Sequence, residues 1–227
     1  MKKKKALILG ATGLVGRSLV QHLLNADQYE SVLALVRREI PTTHHKFIQQ
    51  VVNFDRLEDY KKLFAVDDVF CCLGTTMATA KTKEAFRRVD YDYPVQAARL
   101  AHEMGVRQYL LVSALGANPQ SSIFYNRVKG ELEREISAVG LQTVHIFRPS
   151  LLLGQRTEQR TAEAFFQKSA GLLRIIMRGP LAKYLPIKAE TVAQAMVCEA
   201  SRNETGVHIH ESHMFMMPFQ DAPRATS

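Results

Sequence analysis

The sequence predicts an α/β fold with a doubly wound, mostly parallel sheet, and two observations indicate it. Short unbroken apolar runs recur along the 227-residue chain, and amphipathic helical patterns alternate with them. A strand of a parallel sheet is buried on both faces, so it reads as a continuous apolar run. Strands that alternate with helices at this spacing are typical of a parallel sheet covered by helices on both faces.

Six strands and four helices are predicted before Arg148. The strands are Ala6–Leu9, Val32–Val36, Phe47–Val52, Asp68–Leu73, Gln108–Val112 and Leu141–Phe147. The helices are Leu14–Leu24, Leu57–Phe64 (opened by the acids Glu58 and Asp59), Glu84–Met104 and Tyr125–Val139. Beyond Pro149 the pattern loosens, and we expect helices at Ala162–Met177 and Glu190–Arg202 and a short strand at Val207–His210.

Length and composition favour one soluble domain. We expect residues 1–219 to form it, with residues 151–205 contributing a substrate pocket and 220–227 a flexible tail. No run approaches the 18 apolar residues of a membrane helix, which predicts a cytoplasmic protein without a membrane partner. The net charge of +8 is spread along the chain except for the run Lys2–Lys5, so no nucleic-acid partner is predicted. Three cysteines are expected to be reduced thiols.

A glycine-rich turn follows the first predicted strand and carries the spacing GxxGxxG. In a dinucleotide-binding βαβ unit of the Rossmann fold, Gly10 permits the tight turn, Gly13 lets the backbone approach a pyrophosphate, and Gly16 allows helix and strand to pack closely. The helix N-terminus adds oriented N–H groups and partial positive charge. The predicted cofactor contacts of this turn are Gly10, Thr12, Gly13, Leu14, Val15 and Gly16.

The residue at the end of the second strand favours NADP over NAD. NAD-binding sites carry an acid about 20 residues beyond the glycines. Here Arg37 and Arg38 stand at that place, and a guanidinium suits a 2′-phosphate. Arg17 could join them, whereas Glu39 is near enough to leave NAD open.

Three residues in the middle of the chain suggest carbonyl and alcohol redox chemistry. Tyr125 and Lys129 are four apart and share a helix face, and Ser113 ends the fifth strand. A tyrosine can protonate a carbonyl oxygen if a nearby ammonium lowers its pKa towards neutrality. We therefore predict Tyr125 as acid/base, Lys129 as the group that lowers its pKa and holds the nicotinamide ribose, and Ser113 as hydrogen-bond donor to the developing oxyanion.

The turn GATGLVG, Ser113 and the YxxxK pair together resemble the short-chain dehydrogenase/reductase superfamily. The stretches SALGANPQSSIFYNRVKGELE (113–133) and FRPSLLLG (147–154) resemble an atypical branch of it, the one related to the Tat-interacting protein. The resemblance implies that Asn53–Asp55 lies near the adenine, that Leu73, Gly74 and Thr75 line the cofactor, and that Pro149–Leu151 closes over the nicotinamide. It also implies that some members act as regulators.

These observations predict an NADP(H)-dependent oxidoreductase acting on a small carbonyl or alcohol substrate. Two alternatives stay open, namely an epimerase or dehydratase that uses the bound cofactor transiently, and a dinucleotide-binding regulator with a protein partner. A homodimer is also left open. His208, His210, Glu211 and His213 are interpreted as incidental residues of a surface strand, so no metal site is predicted. Met214–Phe219 is interpreted as core packing or edge cover, with a partner surface as the alternative.

Overall fold

The computed structural model describes residues 3–153, 185–202 and 204–215 of the chain. The strands are β1 Lys4–Leu9, β2 Tyr29–Val36, β3 Phe47–Val51, β4 Asp68–Cys71, β5 Gln108–Val112, β6 Thr143–Arg148, β7 Leu152–Leu153, β8 Ile187–Lys188 and β9 Gly206–Glu211. The α-helices are α1 Leu14–Asn25, α2 Met77–Ala80, α3 Lys83–Arg87, α4 Tyr93–Glu103, α5 Phe124–Ala138, α6 Ala189–Ser201 and α7 Ser212–Phe215. A 3₁₀ segment at Phe54–Phe64 and a π segment at Arg88–Asp92 complete the described elements.

Seven strands form one parallel sheet in the order β3-β2-β1-β4-β5-β6-β9. The short strands β7 and β8 pair with each other, also in parallel. One core cluster joins a face of the sheet to α1 and α6, and a second joins the other face to α4, α5 and the 3₁₀ segment. The predicted doubly wound α/β fold is therefore confirmed, and β9 extends the sheet at the edge where a short last strand was expected.

The predicted long helix 84–104 is present as one continuous helical stretch over residues 83–103, with a π turn in its middle. The structure divides it into α3, the π segment and α4, and Pro94 stands in the first turn of α4. Proline has no N–H, so it cannot donate to the carbonyl four residues back, and the helix widens locally. The widened turn contains Asp90, which is buried.

The helix predicted at Leu57–Phe64 is corrected to a series of 3₁₀ turns over Phe54–Phe64. Arg56 and Tyr60 have non-helical backbone angles and separate these turns. The Asn53 side chain caps the first turn by accepting a hydrogen bond from the Asp55 N–H at 3.0 Å. The stretch before Lys83 contains the one-turn helix α2.

Several expectations fall on residues outside the described part of the chain. The helix predicted at Ala162–Met177, the tail 220–227 and Met216–Phe219 are among them. Cys71, Cys72 and Cys198 are free thiols, as expected. Within the described residues, no helix is long and apolar enough to cross a membrane.

Candidate cofactor-binding and active site

The glycine turn is shaped by two close backbone approaches. A Cβ on Gly10, whose φ is +85°, would lie 2.5 Å from the carbonyl group of Cys72. A Cβ on Gly16 would lie 2.0 Å from the carbonyl oxygen of Gly10. Both distances are far below van der Waals contact, so only glycine fits at these positions. The turn thus holds the start of α1 tightly against the ends of β1 and β4.

The N-terminus of α1 is suited to an anion. The N-cap residue is Gly13, no side chain caps the helix, and its first turn contains no acid. Uncapped N–H groups and the positive end of the helix dipole favour a phosphate at such a position. Arg17 braces the turn, because its Nε donates to the Thr12 carbonyl oxygen at 2.8 Å. The residues present therefore fit the pyrophosphate of a dinucleotide.

Charged groups gather beyond the ends of β2 and β3. Arg37 is exposed, and Asp55 accepts a hydrogen bond from the Tyr93 hydroxyl at 2.7 Å. Burial and the Asp55 carboxylate raise the pKa of Tyr93 to about 12, while the cations Arg88 and Arg37 oppose that rise. Arg37 is therefore close enough to the Tyr93–Asp55 pair to act on it electrostatically. Two predicted cofactor residues, Arg37 and Asp55, thus lie in one neighbourhood.

Asp90 connects the loop after β4 to the lysine of α5. Its Oδ2 accepts from the Thr75 N–H at 2.7 Å, and its Oδ1 lies 2.7 Å from Lys129 Nζ. The side chains of Asp90 and Lys129 are 1% and 4% exposed, so this is a buried ion pair. A Cβ on Gly74 would make ordinary contact with Asp90 Oδ1 at 3.5 Å. Sequence reasoning missed Asp90, although an acid among the apolar positions of a helix ahead of Pro94 was a usable signal.

The electrostatics of Tyr125 differ from the expectation. Its ring packs on Phe86 with centroids 5.6 Å apart, and 37% of the residue is exposed. Burial raises the pKa of Tyr125; Lys129 lowers it and Asp90 raises it, and the net direction is upward. Lys129 therefore does not bring the pKa of Tyr125 towards neutrality in this structure, because burial, which is the largest effect, and the Asp90 carboxylate together outweigh the ammonium charge.

Lys129 itself stays protonated. Burial lowers the pKa of its ammonium, but the attraction of Asp90, with smaller contributions from Tyr125 and the hydrogen bond to Asp90, raises it above its ordinary value. The lysine is thus a fixed cation beside Tyr125.

Ser113 is turned towards an internal carboxylate rather than left free. The residue is buried, and its Oγ donates to Glu133 Oε1 at 2.5 Å. Glu133 is in turn held by Arg148. The Arg148 Nη2 donates to Glu133 Oε2 at 2.5 Å, and its Nε donates to Glu133 Oε1 at 3.1 Å. The expected role of Ser113 as oxyanion donor requires this proton to leave Glu133. Glu133 and Arg148 were not predicted, because nothing in the local sequence links them to Ser113.

The carboxyl ends of the parallel strands bring most of the predicted residues to one edge of the sheet. Gly10 follows β1, Leu73–Thr75 follow β4, Ser113 follows β5 and Pro149 follows β6. The chain reverses its strand order between β1 and β4, where doubly wound sheets open a crevice for ligands. Pro149 is buried, and its carbonyl oxygen accepts from the Leu115 N–H at 2.9 Å. Residues 154–184, part of the predicted substrate pocket, lie outside the described chain.

The interpretation of the β9 histidines needs correction. His210 is 9% exposed and lies beside the fully buried His145 of β6. One atom each of His145, Glu199 and His210 lies within 4.8 Å of the others. His210 is therefore not an incidental residue of a surface strand, since its side chain points into the face that α6 covers.

Comparisons with known proteins agree with the fold and the glycine turn. A family described as NAD(P)H-binding matches residues 10–197. Protein HTATIP2 of Rattus norvegicus is 36% identical over 177 residues, which cover 76% of this chain and 73% of that protein. The FMP52 protein of Eremothecium gossypii, named mitochondrial, is 34% identical over 214 residues, which cover 91% of this chain and 93% of that protein.

Solved structures share the fold at low sequence identity. MoeE5 in complex with UDP-glucuronic acid and NAD superposes with a TM-score of 0.69 at 17% identity, covering 90% of this chain and 75% of that one. The Bordetella bronchiseptica enzyme WbmH in complex with NAD⁺ gives a TM-score of 0.70 at 15% identity, covering 93% and 76%.

The mitochondrial names contradict the predicted cytoplasmic location, which is wrong. That prediction relied on the lack of a long apolar run, whereas mitochondrial transit segments are amphipathic and Arg-rich. The family match and the two relatives also confirm the resemblance found in the sequence. The chain therefore belongs to the NAD(P)H-binding family, in the atypical short-chain dehydrogenase/reductase branch that its motifs resemble.

Proposed function

We propose that the protein is an NADP(H)-dependent oxidoreductase that reduces a carbonyl, or oxidises an alcohol, on a small substrate. The observation that carries this proposal is the buried Lys129–Asp90 pair beside Tyr125, at the sheet edge that also holds the glycine turn. Burying an ion pair costs free energy, so its placement next to a tyrosine that is 37% exposed favours a chemical role. The preference for NADP rests on Arg37 and on the lack of an acid at that position.

In the proposed mechanism the cofactor carries the hydride and the side chains handle the proton. The nicotinamide of the bound cofactor supplies or accepts a hydride. In the reducing direction Tyr125 gives its hydroxyl proton to the carbonyl oxygen, and Lys129 stabilises the tyrosinate that remains. Asp90 positions Lys129 and ties it to the Thr75 backbone, so the lysine stays at one place throughout the reaction.

In our proposal Ser113 binds the substrate oxygen and does not transfer the proton. Because its proton lies on the bond to Glu133, the Ser113 oxygen presents lone pairs to a neighbouring group. It can therefore accept a hydrogen bond from an alcohol substrate without rearrangement, whereas donating to a carbonyl oxygen requires the bond to Glu133 to break. Proton transfer in our proposal consequently runs through Tyr125.

The test is turnover by the purified chain with a panel of aldehydes, ketones and alcohols, followed by oxidation or formation of NADPH. We expect Tyr125→Phe to lower turnover by about 10²–10⁴-fold while leaving NADPH affinity within a few-fold of the wild type. Tyr91→Phe is the matched control, because Tyr91 is half-buried and stacks on Arg87. Full turnover by Tyr125→Phe would refute the acid/base role. Tight NADPH binding with no turnover by the wild type would favour the regulator instead.

A further inference from the structure

Three side chains from distant parts of the sequence meet on the sheet face that α6 covers. His145 comes from the middle of β6, His210 from β9, and Glu199 from the last turn of α6. All three are buried, at 0%, 9% and 6% exposure, and their nearest ligand-type atoms lie within 4.8 Å of one another. The cluster is separate from the glycine turn and from Tyr125 and Lys129.

The contact between the two histidines leaves one ring nitrogen without a partner. His145 Nδ1 lies 3.1 Å from His210 Nε2. His145 Nε2 is buried and has no hydrogen-bond partner among the described residues. This nitrogen lies on the opposite edge of the imidazole ring from Nδ1, so it is not one of the two nitrogens that face each other across the His145–His210 contact.

The charges around the cluster keep the imidazoles neutral. Burial, His210, the neighbouring His208 and the cations Arg202 and Arg107 lower the pKa of His145 to about 3. Burial, His208 and Arg202 lower the pKa of His210 to about 4. A neutral imidazole is the form that binds metal ions.

The spacing and chemistry of the donors match zinc. Two nitrogens bound to one tetrahedral zinc ion at about 2.0–2.1 Å stand about 3.3 Å apart, close to the 3.1 Å seen between His145 and His210. Two imidazoles and one carboxylate form a ligand set that zinc uses in proteins. Arg202 donates to Glu199 Oε2 at 3.0 Å, which is the kind of outer contact that holds a ligating carboxylate in place.

We propose that His145, Glu199 and His210 bind one zinc ion, which links β6, β9 and α6. The role is structural, because all three donors are buried and lie away from the cofactor turn. The zinc would join the last strand of the sheet to its neighbour and to the helix that precedes it.

The experiment uses the untagged full-length chain, stripped with a chelator and then titrated with zinc chloride by calorimetry. We expect one zinc per chain and a melting temperature that rises by about 5–10 °C when free zinc stands a hundredfold above Kd. His210→Gln and Glu199→Gln should each weaken zinc binding by roughly 10–100-fold or more. His208→Gln is the matched control, because His208 lies on the same face of β9 as His210, but its Nε2 donates to the carbonyl oxygen of Thr205 at 3.0 Å and it is not one of the three proposed ligands.

Two results would overturn the proposal. One is the absence of saturable zinc binding by the wild type. The other is zinc binding that is unchanged in both His210→Gln and Glu199→Gln, since the ion would then sit elsewhere, for instance on the stacked pair His44–His45. Circular dichroism of each variant shows that it is folded, and Glu199→Gln keeps the shape of the native side chain if His210→Gln fails that check. Neither result bears on the oxidoreductase proposal, which is tested at Tyr125.

Discussion

The buried Asp90–Lys129 pair gives the sharpest test of how the site is held together. In Asp90→Asn the side chain keeps its shape but loses its charge. Thr75 N–H and Lys129 Nζ contact different oxygens of Asp90, and a carboxamide has an NH2 group, which cannot accept, in place of one of them. Either choice leaves a buried donor without its partner, and the ammonium loses its counter-charge.

The magnitude follows from the geometry. At 2.7 Å and an effective dielectric constant of about 20, the pair attracts with roughly 6 kcal/mol. Part of that attraction only offsets the cost of burying both charges, and breaking a buried pair by removing one partner costs about 3–5 kcal/mol. We therefore expect Asp90→Asn to lower the free energy of unfolding by about 3–5 kcal/mol, a large share of the 5–15 kcal/mol typical of a folded protein.

The assay is urea unfolding followed by circular dichroism, with linear extrapolation to water. Asp92→Asn is the matched control, because Asp92 is an exposed acid two residues away, and we expect it to change stability by less than about 0.5 kcal/mol. The double variant Asp90→Asn/Lys129→Met removes the unpaired ammonium and should be more stable than Asp90→Asn alone. A stability loss below about 0.5 kcal/mol in Asp90→Asn would refute the reasoning.

Three other predictions follow from the same region. Arg37→Ala should weaken NADPH binding by roughly 5- to 150-fold and leave NADH almost unchanged in calorimetric titrations, and equal losses for both would contradict a 2′-phosphate contact. Because the pKa of Tyr125 is raised, the tyrosine keeps its proton throughout the neutral range. Deprotonation of Tyr125 should therefore cause no fall in kcat/KM for carbonyl reduction below about pH 10. A fall near pH 7 that disappears in Tyr125→Phe would contradict this expectation. Gly16→Ala should lower the melting temperature sharply because its Cβ would meet the Gly10 carbonyl oxygen at 2.0 Å, whereas Gly74→Ala, with its nearest contact at 3.5 Å, should melt within a few degrees of the wild type.

Local patterns were enough to predict the sheet and the glycine turn. The predicted strand Gln108–Val112 has the same bounds in the structure, because its apolar run is buried on both faces of a parallel sheet. The turn was readable because its GxxGxxG spacing is a local pattern, although Gly10 is also required by its approach to Cys72, after β4. Helix starts were less readable, since the cap at Asn53 depends on a single side-chain hydrogen bond.

The polar network of the site was not readable from the sequence, for a physical reason. Asp90, Glu133 and Arg148 acquire their roles from partners on other elements, such as Thr75 for Asp90 and Ser113 for Glu133. A sequence pattern indicates which face of an element is apolar. It does not indicate which residue of another element will pair with a buried charged side chain. The same limit applies to His145 and His210, which pair across two strands that are 65 residues apart.

The pairing of β6 with β9 has a consequence for how the chain folds during synthesis. Residues 149–205 separate these two strands, so β6 leaves the ribosome well before its outer neighbour is made. Until β9 is made, the β6 edge has unpaired N–H and C=O groups, and until α6 is made, the face of α1 that packs on it is uncovered. Nascent chains that stall before Gly206 therefore expose an unpaired strand edge that favours aggregation, and chaperones should bind them more strongly than chains released at full length.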